Sequence, residues 1–402
     1  MKKLIVLCLS ICLCMGLLPQ QIHAQDDKTK QEPAQNAQDL APSAKAAYLV
    51  ENTTGKVIYA KHETNKLYPA SMTKMMGLLL IFEALHDKKI SWDESVSASE
   101  YAASMGGSQV FLEPGESMSV RDMVKSICIA SANDAMVAMA EKVGGSNDHF
   151  VAMMNDKAKE LKLSNSHFMN ATGLHDPEHY TCAKDMSIIA RALIAEGGEE
   201  LLRITSTYDA YIRENTDKKF WLVNTNKLLK QYEGVDGLKT GFTTEAMSCI
   251  TVTAKKKELR LVAVAMGEPS SKQRNAEIKQ MLDYGFSQYA QGLLYPKGTK
   301  LKTYTMENGK PSSVNLVTLK DIVYVFEKGS EPKEQKKEIT ITKDTPPYKA
   351  MEAIGTVKIT MSDGYTMEAP VGVDQDVEQL NYLDIFMKAF SCLLYTSPSP
   401  RD

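Results

Sequence analysis

"YPASMTKMMG", Tyr68–Gly77, sets a serine and a lysine three residues apart, directly before a methionine- and leucine-rich run that continues to Leu85. Residues three apart share one face of a helix, a turn from each other. The expected helix, Ala70–Leu85, is apolar nearly all round, so it belongs at the centre of a domain. A lysine at the mouth of such a helix costs stability unless it reaches water or has a chemical task. A neutral Lys74 could take the hydroxyl proton of Ser71. Its pKa would have to fall from about 10.4 toward 7–8, a cost of about 4 kcal/mol supplied by desolvation and neighbouring cations. N–H groups at the helix start near Ser71 also suit an oxyanion. The spacing alone is weak, since about two such pairs are expected by chance in a chain this long. A second one, Ser330 to Lys333, holds Pro332 in a polar loop and carries no such context.

Outward from that helix, "AAYLVENTTGKVIYAKHET", Ala46–Thr64, makes two β-rich runs around a turn. "SVRDMVKSICIA" opens with a Ser119-x-x-Asp122 cap and predicts a second helix; Asp134–Val143 predicts a third. "SCITVTAKKKELRLVAVAMG", Ser248–Gly267, is a strong hairpin, followed by a helix from Arg274 to Tyr289. Strands, then helices, then strands and a helix again indicate an α+β fold, an antiparallel sheet with helices packed on it. From about Lys297 to Asp376 short alternating runs separated by Gly, Pro and Asn predict a small all-β domain. "QLNYLDIFMKAF" then places Leu380, Leu383, Phe386 and Phe390 at helical spacing. Such a helix either docks on the protein or lies on a membrane surface.

The two ends stand apart. Lys2 and Lys3 precede an apolar stretch, Leu4–Leu18, and Ala24 ends the segment before acidic residues, the pattern of a cleaved secretory signal. The stretch is shorter than the roughly 20 residues a membrane span needs. Export to the outer face of the cytoplasmic membrane is therefore expected. The tail "CLLYTSPSPRD", Cys392–Asp402, has no apolar period and resembles a read-through sequencing adapter, so the natural chain is expected to differ beyond Ser391. The net charge is −3 with no basic block, which argues against nucleic acid as a partner. Cys128, Cys182 and Cys249 are scattered, neither a disulfide framework nor a zinc site, and read as buried hydrophobes. His175 and His179 have metal spacing, but Pro177 between them disfavours the helix that would be needed, and no metal or other cofactor is implied.

Two more motifs join the first. "IASANDAM" puts Ser131 and Asn133 in a break between two helices, where a plain helix cap is the simpler account. "VDGLKTGFT" puts Lys239, Thr240 and Gly241 on a strand, where a glycine lets something approach the backbone closely. Taken together, Ser71-Met72-Thr73-Lys74, Ser131-Ala132-Asn133 and Lys239-Thr240-Gly241 resemble the penicillin-recognising serine enzymes, and more narrowly the low-molecular-mass penicillin-binding proteins that are serine D-Ala-D-Ala carboxypeptidases. The likeness runs from about Ala41 to Phe390 and includes "NATGLHDPEHYTCAKDMSIIARAL". Phe242 stands where some relatives carry histidine.

The resemblance implies a β-lactamase/transpeptidase-like domain and a peptidoglycan stem peptide ending in D-Ala-D-Ala as substrate. β-Lactams would be covalent ligands, and a C-terminal amphipathic helix would meet the membrane surface. It implies Ser71 as nucleophile, Lys74 as general base, Ser131 as proton relay and Asn133 as holder of the substrate amide. Lys239 and Thr240 would bind the terminal carboxylate, and the N–H groups of Ser71 and Phe242 beside Gly241 would form an oxyanion hole. Arg274 is a weaker candidate for steering the carboxylate, since a surface arginine at a helix start fits as well. The expected organisation is a signal peptide over 1–24, a disordered spacer over 25–42, a catalytic domain over 43–292, an all-β domain over 293–378, the start of an anchor helix over 379–391, and the foreign tail over 392–402. A serine β-lactamase would need a water-activating Glu in a Glu-x-x-Leu-Asn loop, which the chain lacks. A non-catalytic wall-binding protein would gain nothing from a buried neutral amine.

Overall fold

The computed structural model describes residues 39–214 and 216–395. The expected signal peptide, most of the spacer and residues 396–402 lie outside the described residues. The centre is a five-stranded antiparallel sheet of β1 (Ala46–Glu51), β2 (Val57–Lys61), β3 (Val235–Thr243), β4 (Met247–Lys256) and β5 (Leu259–Glu268), in the order β2-β1-β5-β4-β3. Its strands are apolar on both faces because both faces are covered. Tyr48, Val50, Val262, Val264 and Met266 point into the core shared with α1 (Lys74–His86). The alternate residues Ala47, Leu49, Val252, Ala263 and Ala265 pack with Ile278, Met281 and Leu282 of α6 (Ser271–Gln288). Further helices are α2 (Val120–Lys125), α3 (Asn133–Gly144), α4 (Asn147–Glu160) and α5 (Ala183–Thr205), the last broken at Gly198. The Ser119 side chain accepts from the Asp122 N–H at 3.1 Å, the cap read in the sequence. A Cβ on Gly77 would stand 2.6 Å from Met136 Cε, so the glycine permits close packing of α1 on α3.

Some expectations shift. Residues 39–42, assigned to the free spacer, are packed: Leu40 and Ala41 are buried in the sheet core, and Asp39 accepts from Tyr59 Oη at 2.6 Å. A short apolar pair suffices to dock a polar segment once a strand edge is beside it. The third helix starts at Asn133 rather than Asp134, and α6 starts at Ser271 because Ser270 caps it, accepting from the Gln273 N–H. Cys128, Cys182 and Cys249 are free and buried.

The all-β part begins with β6 (Tyr289–Tyr295), which pairs with β9 (Ile322–Glu327). Its main sheet runs β7-β8-β12-β11-β10, from β7 (Lys300–Thr305), β8 (Ser313–Thr318), β10 (Glu334–Ile341), β11 (Ala353–Met361) and β12 (Thr366–Val373). Alternate residues such as Val357, Ile359 and Met361 fill one of its two small cores. Helix α7 (Tyr382–Tyr395) follows, its first turn closed reciprocally by Asn381 and Asp384. Leu383, Phe386 and Phe390 are exposed on it, so it does not dock through those residues. Among the described residues no helix is long and apolar enough to cross a membrane.

Candidate active site

Ser71 sits in a tight 3-10 turn, Ala70–Thr73, that runs into α1. Ala70, just before it, is held at φ +48°, a left-handed conformation costly for a residue with a Cβ. The turn is wedged against the edge strand: a Cβ on Gly241 would lie 2.6 Å from the Pro69 carbonyl and 3.2 Å from the Met72 nitrogen. Lys74 is fully buried; its Nζ donates to Ser71 Oγ at 2.9 Å and to the Thr172 carbonyl at 2.7 Å. Burial, and next the positive charge of Lys239, push the Lys74 amine well below its ordinary range, against the pull of Asp134. A neutral amine a hydrogen bond from a hydroxyl is a general base positioned for use.

The second motif lies where α2 widens into a π-helical turn, Ser126–Ala130. Ser131 terminates that turn in the left-handed region at φ +64° and is buried. Asn133 then opens α3, donating from Nδ2 to the Gly106 carbonyl at 2.6 Å. Its Oδ1 is buried with no hydrogen-bond partner among the described residues, an acceptor that a bound N–H group would satisfy. The loop facing it is tied down by Asp134, whose carboxylate accepts the N–H groups of Val110 and Leu112. Arg213 ties it from outside through Glu116 at 2.6 Å and the Val110 carbonyl at 2.9 Å.

The third motif is on β3, which among the described residues pairs only with β4 and so leaves one edge of backbone groups free toward the serine. Lys239 is buried, and desolvation lowers its amine to about 7, with Arg274 adding to the shift and Cys128 opposing it. A charged Lys239 beside Lys74 favours the neutral form of the Lys74 amine. Thr240 Oγ1 donates to Thr225 Oγ1 at 2.7 Å. Gly241 is buried, whereas the Phe242 side chain stands 70% exposed on the rim, so only its backbone can serve the site. Arg274 is not the surface arginine that the sequence equally allowed. It is buried, donating to the Cys249 carbonyl at 3.2 Å and to Asn275 Oδ1.

Other residues complete the site without having been singled out. Asn170 Oδ1 accepts from the N–H groups of Thr172 and Gly173 and so shapes the turn that offers the Thr172 carbonyl to Lys74. His179 is buried, which lowers it to about 4; Nδ1 accepts from the Met169 N–H at 3.2 Å, leaving Nε2–H to donate to Thr73 Oγ1 at 2.8 Å. That partner, one residue before Lys74, explains His179 without a metal. His175 instead stands edge-on to Tyr68. The second Ser-x-x-Lys lies on the surface: Ser330 is exposed and donates to the Glu327 carbonyl, and Lys333 is exposed.

The chain is similar to known proteins along most of its length. Residues 30–270 match the family model of D-alanyl-D-alanine carboxypeptidases, peptidase family S11. Residues 289–379 match that of the penicillin-binding protein 5 C-terminal domain. The chain is 44% identical over 384 residues to D-alanyl-D-alanine carboxypeptidase DacF of Bacillus subtilis, covering 95% of this chain and 96% of that one. Among solved structures it is similar to penicillin-binding protein 5 from Haemophilus influenzae, with a TM-score of 0.68 at 30% identity over 84% of this chain and 98% of that one. It is also similar to penicillin-binding protein D2 from Listeria monocytogenes in its ampicillin-bound form, with a TM-score of 0.52 at 30% identity over 61% of this chain and 98% of that one.

Proposed function

The chain belongs to the D-alanyl-D-alanine carboxypeptidase family, and from that premise we propose that it removes the terminal D-Ala of peptidoglycan stem pentapeptides through an acyl-enzyme on Ser71. Ser71 Oγ attacks the carbonyl carbon of the penultimate D-Ala while Lys74 Nζ takes its proton. The developing oxyanion is received by the N–H groups of Ser71 and Phe242. Collapse breaks the peptide bond, Ser131 passes a proton to the departing D-Ala amine, and water then hydrolyses the ester to free Ser71. Lys239 and Thr240 hold the terminal carboxylate, with buried Arg274 adding positive charge behind β4, and the orphaned Asn133 Oδ1 accepts a substrate amide N–H. The observation that carries this is the fully buried Lys74 amine 2.9 Å from Ser71 Oγ.

A β-lactam carbonyl offers Ser71 the same attack, but its leaving nitrogen stays tethered, so the adduct persists. Ampicillin in the Listeria monocytogenes relative supports this ligand class. The chain acts outside the cell in wall remodelling and cell shape, exported by its N-terminal signal, with the exposed apolar residues of α7 resting on the membrane surface. The test is release of free D-Ala from a pentapeptide, together with mass spectrometry after penicillin treatment. Wild type should release D-Ala and gain one penicillin on Ser71; a folded Ser71→Ala variant should do neither. Undiminished D-Ala release by that variant would refute the reading.

A further inference from the structure

Beyond the Thr243 end of β3 lies a pocket of about 240 Å³ that the chemistry above does not use. Its walls include Lys45, Lys66, Tyr68, Tyr180, Glu245 and Gly267. Lys66 Nζ stands 4.2 Å from the Tyr180 ring centroid. The Lys45 backbone N–H is bonded to the Met266 carbonyl at 2.9 Å, and the side-chain stem crosses Gly267. A Cβ on Gly267 would lie 2.6–2.8 Å from three carbons of that stem, and φ there is +71°, so glycine lets the lysine lie flat across the end of β5. Among the described residues neither ammonium has a carboxylate within ion-pair distance. The pocket thus holds two unneutralised cations beside two phenol rings, with one carboxylate, Glu245.

The direction of the substrate follows from the site. Its terminal carboxylate belongs at Lys239–Thr240 and its scissile carbonyl at the Phe242 N–H, so the acyl half must leave along β3 toward residues 243–246. Three residues of chain reach at most about 10 Å, which carries a stem peptide two to three residues upstream of the scissile bond, to the pocket mouth. We propose that this pocket is a subsite for a free carboxylate on the upstream part of the stem peptide, bound by Lys45 and Lys66. It rests on the Ser71 acyl-enzyme reading and adds a specificity determinant to it.

The test compares two acetylated pentapeptides ending in D-Ala-D-Ala, identical except that the γ-linked glutamate carries its α-carboxyl either free or as the carboxamide. Wild type should show kcat/KM for D-Ala release roughly fivefold higher on the free acid, the order expected for partly exposed ion pairs, and the preference should shrink with added salt. Lys45→Ala/Lys66→Ala should lose the preference by slowing on the acid alone, with fluorescent-penicillin acylation at the wild-type rate. No preference in wild type, which needs no variant to measure, overturns the subsite; so does a double variant slowed equally on both peptides. Failure of wild type to acylate with penicillin would instead overturn the Ser71 reading, and the subsite with it.

Discussion

Gly173→Ala tests whether the turn after Asn170 sets the catalytic geometry. Gly173 has φ +85°, and a Cβ there would lie 1.8 Å from the Ala70 carbonyl oxygen and 2.3 Å from its carbon. Ordinary contact needs the segments to part by roughly 1.5 Å, and the left-handed backbone costs an alanine about 1–2 kcal/mol more. On one side of that gap is the residue preceding Ser71; on the other is Thr172, whose carbonyl holds Lys74 Nζ at 2.7 Å. Opening it therefore moves nucleophile and base relative to each other, and a misplacement of about 1 Å costs on the order of 100-fold in rate. The second-order rate of acylation by a fluorescent penicillin should fall by about that factor, with the melting temperature lowered by roughly 5–10 °C. Gly115→Ala is the control. It shares the conformation, φ +79°, but its Cβ would meet nothing within 4 Å, so it should lose stability and keep its acylation rate. A Gly173→Ala protein that acylates within about threefold of wild type would refute the coupling.

The pH profile has a sign that can be worked out. Attack needs Lys74 neutral, so kcat/KM rises as pH climbs through its lowered pKa. Carboxylate binding needs Lys239 charged, so kcat/KM falls again as pH passes about 7. In kcat the falling limb should move up, because bound carboxylate stabilises the ammonium, and in Lys239→Arg it should vanish; an unmoved limb there contradicts the assignment. Asn133→Ala removes the orphaned acceptor and should cut peptide kcat/KM by about 10-fold, whereas equal turnover of peptide by wild type and variant would show that Oδ1 takes no substrate N–H. Leu383→Asp/Phe386→Asp should abolish co-sedimentation with anionic lipid vesicles without altering penicillin acylation; unchanged sedimentation would remove α7 from the membrane.

Much of this protein follows from local chemistry that a sequence displays. Three short motifs singled out the candidate reacting groups, because nucleophile, base, relay and carboxylate binder each demand a particular side chain. The all-round apolar run after Lys74 placed that helix in the core, since nothing else can cover four apolar faces. Alternation over Lys297–Asp376 announced strands because the pleat has a period of two. What only the tertiary structure decided is what surrounds those groups. Thr172 reaches Lys74 across 98 positions and His179 reaches Thr73 across 106, and no local period encodes contacts at that range. The same holds for Arg274, whose spacing reads as a surface residue until β4 and α6 close over it, and for Leu40 and Ala41, which leave the polar spacer to join the sheet core. The lowered pKa of Lys74 belongs to this second kind. Desolvation is its largest cause, and desolvation depends on every element packed around the amine, not on the residues beside it in the chain.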